Sequence, residues 1–153
     1  MLRPSIRAMV LMVVLDVLCV GAGMGVPIFC IALGFPAGWA IAVAVARRRT
    51  AVHEVLRNVL FLSVLSVLPT LLMMLAIWGP MFLKLFDPAV DVGRVGIPMW
   101  LFEAKASFIG WHVLMIVISP FLQLLTTIFA AYLALCRITA QRESGTEEPT
   151  EAP

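Results

Sequence analysis

From Ala8 to Ala46 the chain holds one charged side chain, Asp16, and this stretch constrains the fold more than any other. As a single helix it would extend about 58 Å, nearly twice a hydrocarbon core of about 30 Å. Hiding it in a soluble domain would need a polar surface the chain lacks, because 62% of residues are hydrophobic and 13% charged, against about 25% charged in soluble proteins. The bilayer is the expected solvent, and the stretch must fold back inside it. Gly21, Gly23 and Gly25 weaken helix, and Pro27 disfavours helical geometry in Val26, so the bend is expected there. This predicts an amino-terminal helical hairpin with arms at 6–22 and 26–46.

Arg47, Arg48 and Arg49 close the second arm. A third span is expected at 59–78, stopped by Gly79-Pro80, and a fourth at 106–136, closed by Arg137. Between them 79–105 carries Lys84, Asp87, Asp91, Arg94, Glu103 and Lys105, which is too polar to cross. It reads as an outer loop, with a turn at Phe86-Asp87-Pro88 and with Met99, Trp100, Leu101 and Phe102 lying at the headgroups. Residues 141–153 have no apolar periodicity and read as a disordered acidic cytoplasmic tail. The expected fold is all-α: an integral membrane protein of four transmembrane helices with both termini cytoplasmic, placed in the plasma (inner) membrane.

Lys and Arg resist translocation, so their distribution tests the threading independently. Four spans put Arg3, Arg7, Arg47, Arg48, Arg49, Arg57, Arg137 and Arg142 inside and Lys84, Arg94 and Lys105 outside. A three-span chain would leave either the first arginines or the triple arginine on the wrong side. A cleaved signal peptide is the competing reading of the first apolar segment, and Asp16 within it argues against that.

Helix association in lipid rests on close packing and interhelical hydrogen bonds rather than on hydrophobic drive. Cys30, Gly34, Gly38, Ala42 and Ala46 recur at every fourth position, a small-residue groove beside a bulkier row of Leu33, Ala37, Ile41 and Val45. The groove predicts close packing of another helix or a second copy. On the fourth span, Ser119, Gln123, Thr126 and Ala130 share the direction of His112, and Ser63, Ser66 and Thr70 form a similar stripe on the third. Both stripes should face the bundle interior, since an amide facing lipid lacks a partner. Asp16 is the outlier, an ionisable group costing about 2.5–3.5 kcal/mol at a helix centre. It either couples a proton or cation to movement through the bundle, with His112 and Gln123 as partners, or pins its helix by a hydrogen bond. His112, close to the outer interface, needs no special role on its own. Trp78, Trp100 and Trp111 read as interfacial anchors and Trp39 as a packing residue.

Cys19, Cys30 and Cys136 read as small packing residues, with oxidation of Cys19 to Cys30 across the hairpin the alternative. No metal or cofactor pattern is present, no catalytic motif points to an enzyme, and the one dense basic cluster is a topology signal rather than a nucleic-acid surface. Two functions follow. The first expectation is a non-catalytic assembly or packing partner of other membrane helices, joined through them into a homo- or hetero-oligomer. The alternative is a small oligomeric transporter or channel subunit using Asp16 for proton or cation coupling.

Overall fold

The computed structural model describes residues 10–11, 13–15, 17–19, 28–47 and 52–144, and among these every regular element is helical. Three helices are long and apolar enough to cross a membrane, Ile28–Ala46, Val52–Phe86 and Ala104–Gln141. No more than 33% of any span is buried inside the protein, so most of each helix presents apolar side chains that only lipid or another apolar helix can cover. This is the architecture of a multi-pass membrane protein. Much of the first arm of the expected hairpin, Asp16 included, lies outside the described residues.

The first long helix, α1 (Ile28–Ala46), buries Cys30, Gly34, Ala37, Gly38, Ala42 and Val45. Its groove is filled by the chain's own last helix, α4 (Ser119–Ser144). Gly34 lies against Gln123, Thr126 and Thr127, and Gly38, one turn on, against Thr127 and Ala131. Residue numbers rise together on both sides, so α1 and α4 run parallel. The approach is between backbones: a Cβ on Gly38 would overlap the Thr127 carbonyl oxygen, and one on Gly34 would sit 2.7 Å from that of Gln123. Both rows of α1 turn inward, since Ala37 and Val45 of the bulkier row are also buried.

Helix α2 (Val52–Leu83) runs against this pair. Near its start Val59 joins Ala42, Val45, Ala131 and Ala134 in one apolar cluster, and near its far end Met74 joins Cys30 in another. These contacts put Arg47, Arg57 and Arg137 at one end of the bundle, the arginine end. At the same end the Arg137 guanidinium lies 5.6 Å from the ring centre of Trp39. The segment linking α2 to the last span occupies the opposite, loop end.

The expected stop at Gly79-Pro80 does not occur, because α2 continues to Leu83 and a 3₁₀ turn carries the chain to Phe86. A proline removes one backbone donor but its fixed φ suits a helix, so near a helix end one freed carbonyl is a small loss. The last span begins at Ala104, not 106, with α3 (Ala104–Val113), and reaches α4 through a wide π turn, Leu114–Ile118. There Ser119 N–H bonds the Leu114 carbonyl, five residues back. Pro120 follows, where the ladder must break in any case, which accounts for the local change of pitch.

The close helix contact gives a direct test. Gly38→Ala is expected to destabilise the protein by about 1–3 kcal/mol, the usual cost of overpacking, whereas Gly110→Ala, with nothing within 4 Å of its Cβ position, should be neutral. Thermal unfolding of both variants in detergent checks this, and equal melting temperatures would refute the α1–α4 contact.

Candidate functional site

Inside the spans the polar side chains face one another. Ser63 and Thr70 on α2, His112 on α3, and Ser119, Gln123 and Thr127 on α4 are all buried. From His112 to Thr127 the row runs for about 22 Å at the helical rise, most of the thickness of a hydrocarbon core.

Toward the arginine end the hydroxyls are bonded. Thr127 Oγ1 donates to the Gln123 carbonyl at 2.7 Å. Thr126 Oγ1 has one proton and three carbonyl acceptors in reach, Leu122 at 2.8 Å, Gln123 at 2.9 Å and Ile31 at 3.0 Å, the last across the interface on α1. Below this level the bundle is closed by Ala42, Val45, Val59, Ala131 and Ala134.

Other buried polar atoms are left over. Among the described residues, Ser119 Oγ, Gln123 Oε1 and His112 Nε2 toward the loop end, and Ser63 Oγ one turn from Val59, have no hydrogen-bonding partner, and neither do the indole nitrogens of Trp78 and Trp111. A buried polar atom left in this state costs about 1–3 kcal/mol. His112 Nδ1 lies 2.7 Å from the Phe108 carbonyl oxygen. A carbonyl only accepts, so Nδ1 carries a proton and donates to it.

The expected stripe is thus brought together with one reassignment. His112, Ser119 and Gln123 are 1–3% exposed, so His112 is a core residue. Thr126 is half-buried and faces α1, while Thr127 takes the interior position. The signal for Thr127 was present in the sequence as the four-residue row Ser119, Gln123, Thr127, Ala131, the same spacing as the α1 groove it meets. Cys30, Gly34, Gly38 and Ala42 are buried, and Ala46 is half-buried at the last turn. Trp78 and Trp111, expected as anchors, are half-buried against each other at 6.1 Å, and Trp100 is exposed. Trp39 packs on the apolar cluster at the arginine end.

Cys19 packs against the cluster formed by Cys30 and Met74, and all three cysteines are free thiols. Asp87 and Asp91 spend a carboxylate oxygen each on a turn, accepting from Ala89 N–H at 2.9 Å and Gly93 N–H at 3.1 Å. Asp91 also pairs with Arg94 at 3.2 Å. Among the described residues no group of three His, Cys, Asp or Glu side chains is placed to hold a metal. No family model matches the chain, nor does any curated protein or solved structure.

The two halves of the row differ in what they contribute to stability. Thr126→Val should lower stability by about 0.5–1.5 kcal/mol through the lost bond to α1. Ser119→Ala should leave stability unchanged or raise it, since Ser119 Oγ bonds nothing among the described residues. Denaturation of both variants in the same micelle decides between a structural and a functional role for Ser119.

Proposed function

We propose that the protein is a small transporter or channel subunit of the plasma membrane, with four spans, both termini cytoplasmic, and a buried polar row that receives a guest from the loop end. The observation that carries this reading is the set of unpartnered polar atoms inside an otherwise apolar bundle. Polar groups within membrane spans commonly mark substrate or ion pathways. Three or four helices enclose little space, so the working form is an oligomer of this chain or of this chain with others. Asp16 is assigned the coupling role by its chemistry and its position in the first apolar segment.

Two observations support the threading. Cys19 packs on the cluster of Cys30 and Met74 at the loop end, as an in-to-out first arm followed by an out-to-in α1 requires. Arg47, Arg57 and Arg137 share the other end, which the positive-inside rule assigns to the cytoplasm. The expectation of a plain packing partner loses the groove as its docking surface, because α4 fills it. Exposed faces such as Phe61, Leu68 and Leu72 on α2 and Phe121, Leu125 and Phe129 on α4 remain. Lipid covers such faces as well as a partner does, and a packing subunit has no use for an unpaired polar interior.

Topology and activity are tested separately. Reporter fusions after Arg49 and after the last residue should both report the cytoplasm, and a fusion near Gly93 the outside; opposite locations for the first two would remove the hairpin. In proteoliposomes under an imposed potential, the wild-type protein should carry protons or cations above the level of empty vesicles. Asp16→Asn should abolish that flux with assembly unchanged. Wild-type vesicles no leakier than empty ones would sink the transport reading and leave the packing partner standing.

A further inference from the structure

Arg137 places a cation at the margin of the apolar bundle. Trp39 stands eight residues, about 12 Å, before Arg47 along α1. The Arg137 guanidinium lies 5.6 Å from the Trp39 ring centre, so it is held inside the helix end that Arg47 marks. Its own backbone is further out: Gly38 meets Ala131 across the α1–α4 contact, and Arg137 follows Ala131 by six residues toward the arginine end. The side chain therefore turns back along the bundle, as helical side chains do, and lays its charge on the indole. That ring covers one face of the guanidinium and accepts nothing from the five N–H groups at its edge. Among the described residues the ion pair is Asp91 with Arg94, at the opposite end, so none of their carboxylates answers Arg137. Arg137 is exposed, and so is Phe35, one turn inward of Trp39 on the same face of α1.

A cation held at this depth needs an anion, and the chemistry narrows which. A phosphodiester offers two free oxygens that match the fork of a guanidinium. A phospholipid brings that group to the membrane boundary already, with acyl chains that can follow Phe35 inward, whereas phosphate in solution must shed its water to reach the same atoms. A zwitterionic headgroup adds an ammonium to an end that carries Arg47 and Arg57, both exposed. An anionic headgroup adds only charge of the fitting sign. We infer that Arg137 and Trp39 form the headgroup site of an anionic phospholipid, the guanidinium binding its phosphate and the indole fixing the guanidinium. The site stands apart from the buried polar row and requires no transport.

The test uses full-length, delipidated protein with ¹⁵N-labelled tryptophan in maltoside micelles, titrated in turn with phosphatidylglycerol, phosphatidylcholine and inorganic phosphate. Trp39 is the one tryptophan at the arginine end, so its indole signal reports the site by itself. Phosphatidylglycerol should shift that signal saturably and leave those of Trp78, Trp100 and Trp111 in place. Phosphatidylcholine and inorganic phosphate should each bind at least about 10-fold more weakly, and Arg137→Gln should weaken phosphatidylglycerol by about 10-fold, the worth of one hydrogen bond to a charged group. Arg137→Lys keeps the charge without the fork and should fall between wild type and the glutamine variant, which keeps the test decisive if the latter does not fold. No saturable shift of Trp39, equal binding of the two lipids, inorganic phosphate binding as tightly as phosphatidylglycerol, or undiminished binding by both variants would overturn the site. The readout is binding in micelles, so it stands or falls independently of flux in proteoliposomes.

Discussion

The rest of the structure depends on the backbone contact between α1 and α4. Only glycine at positions 34 and 38 allows it, because the atoms that face them are main-chain and threonine oxygens that cannot be displaced like a flexible side chain. In lipid such closeness replaces the hydrophobic drive that would hold helices together in water, through dispersion contacts and the bond from Thr126 to Ile31. The contact also sets direction. Two parallel helices in contact, linked along the chain through an antiparallel one, bring the arginine-bearing ends of α1 and α4 together and leave the aromatic residues of the last span beside the far end of α2.

How much of this could be read from the sequence varies with the kind of signal. The apolar runs and the groove of Cys30, Gly34, Gly38 and Ala42 were plain, since burial in lipid and close packing leave a compositional mark at fixed spacing. The occupant of the groove was not legible, because small residues on α4, Ala130, Ala131 and Ala134, are equally suited to face a second copy. Helix ends were misjudged at Gly79-Pro80, where proline punctuation that holds in water carries less weight near the end of a long apolar helix. His112 was underrated because depth was judged by distance from the loop, whereas α3 begins earlier than expected and Phe82, Phe108 and Trp78 cover the ring. The Trp78 and Trp111 pairing joins residues far apart in the chain, which no local pattern encodes.

The bundle contains its own control for the meaning of its polar residues. Polar side chains kept for packing are bonded: Thr126 and Thr127 donate to carbonyls, and Ser107 Oγ both accepts from Leu101 N–H at 2.8 Å and donates to its carbonyl at 3.1 Å. The same helices carry Ser119, Gln123 and His112, buried as deeply and, among the described residues, bonding nothing through Oγ, Oε1 and Nε2. If polarity served only to specify helix pairing, these atoms would be the first replaced by apolar ones, because substitution would relieve a penalty of about 1–3 kcal/mol each. These three lie toward the loop end, and the cluster of Ala42, Val45, Val59, Ala131 and Ala134 closes the arginine end with alanine and valine. On the proposed reading this describes a bundle open to polar guests from one side and sealed on the other. Release inward would then require α2 to move from the α1–α4 pair, since Val59 is the one buried residue α2 adds to that seal, whereas separating α1 from α4 would break the backbone contact at Gly34 and Gly38.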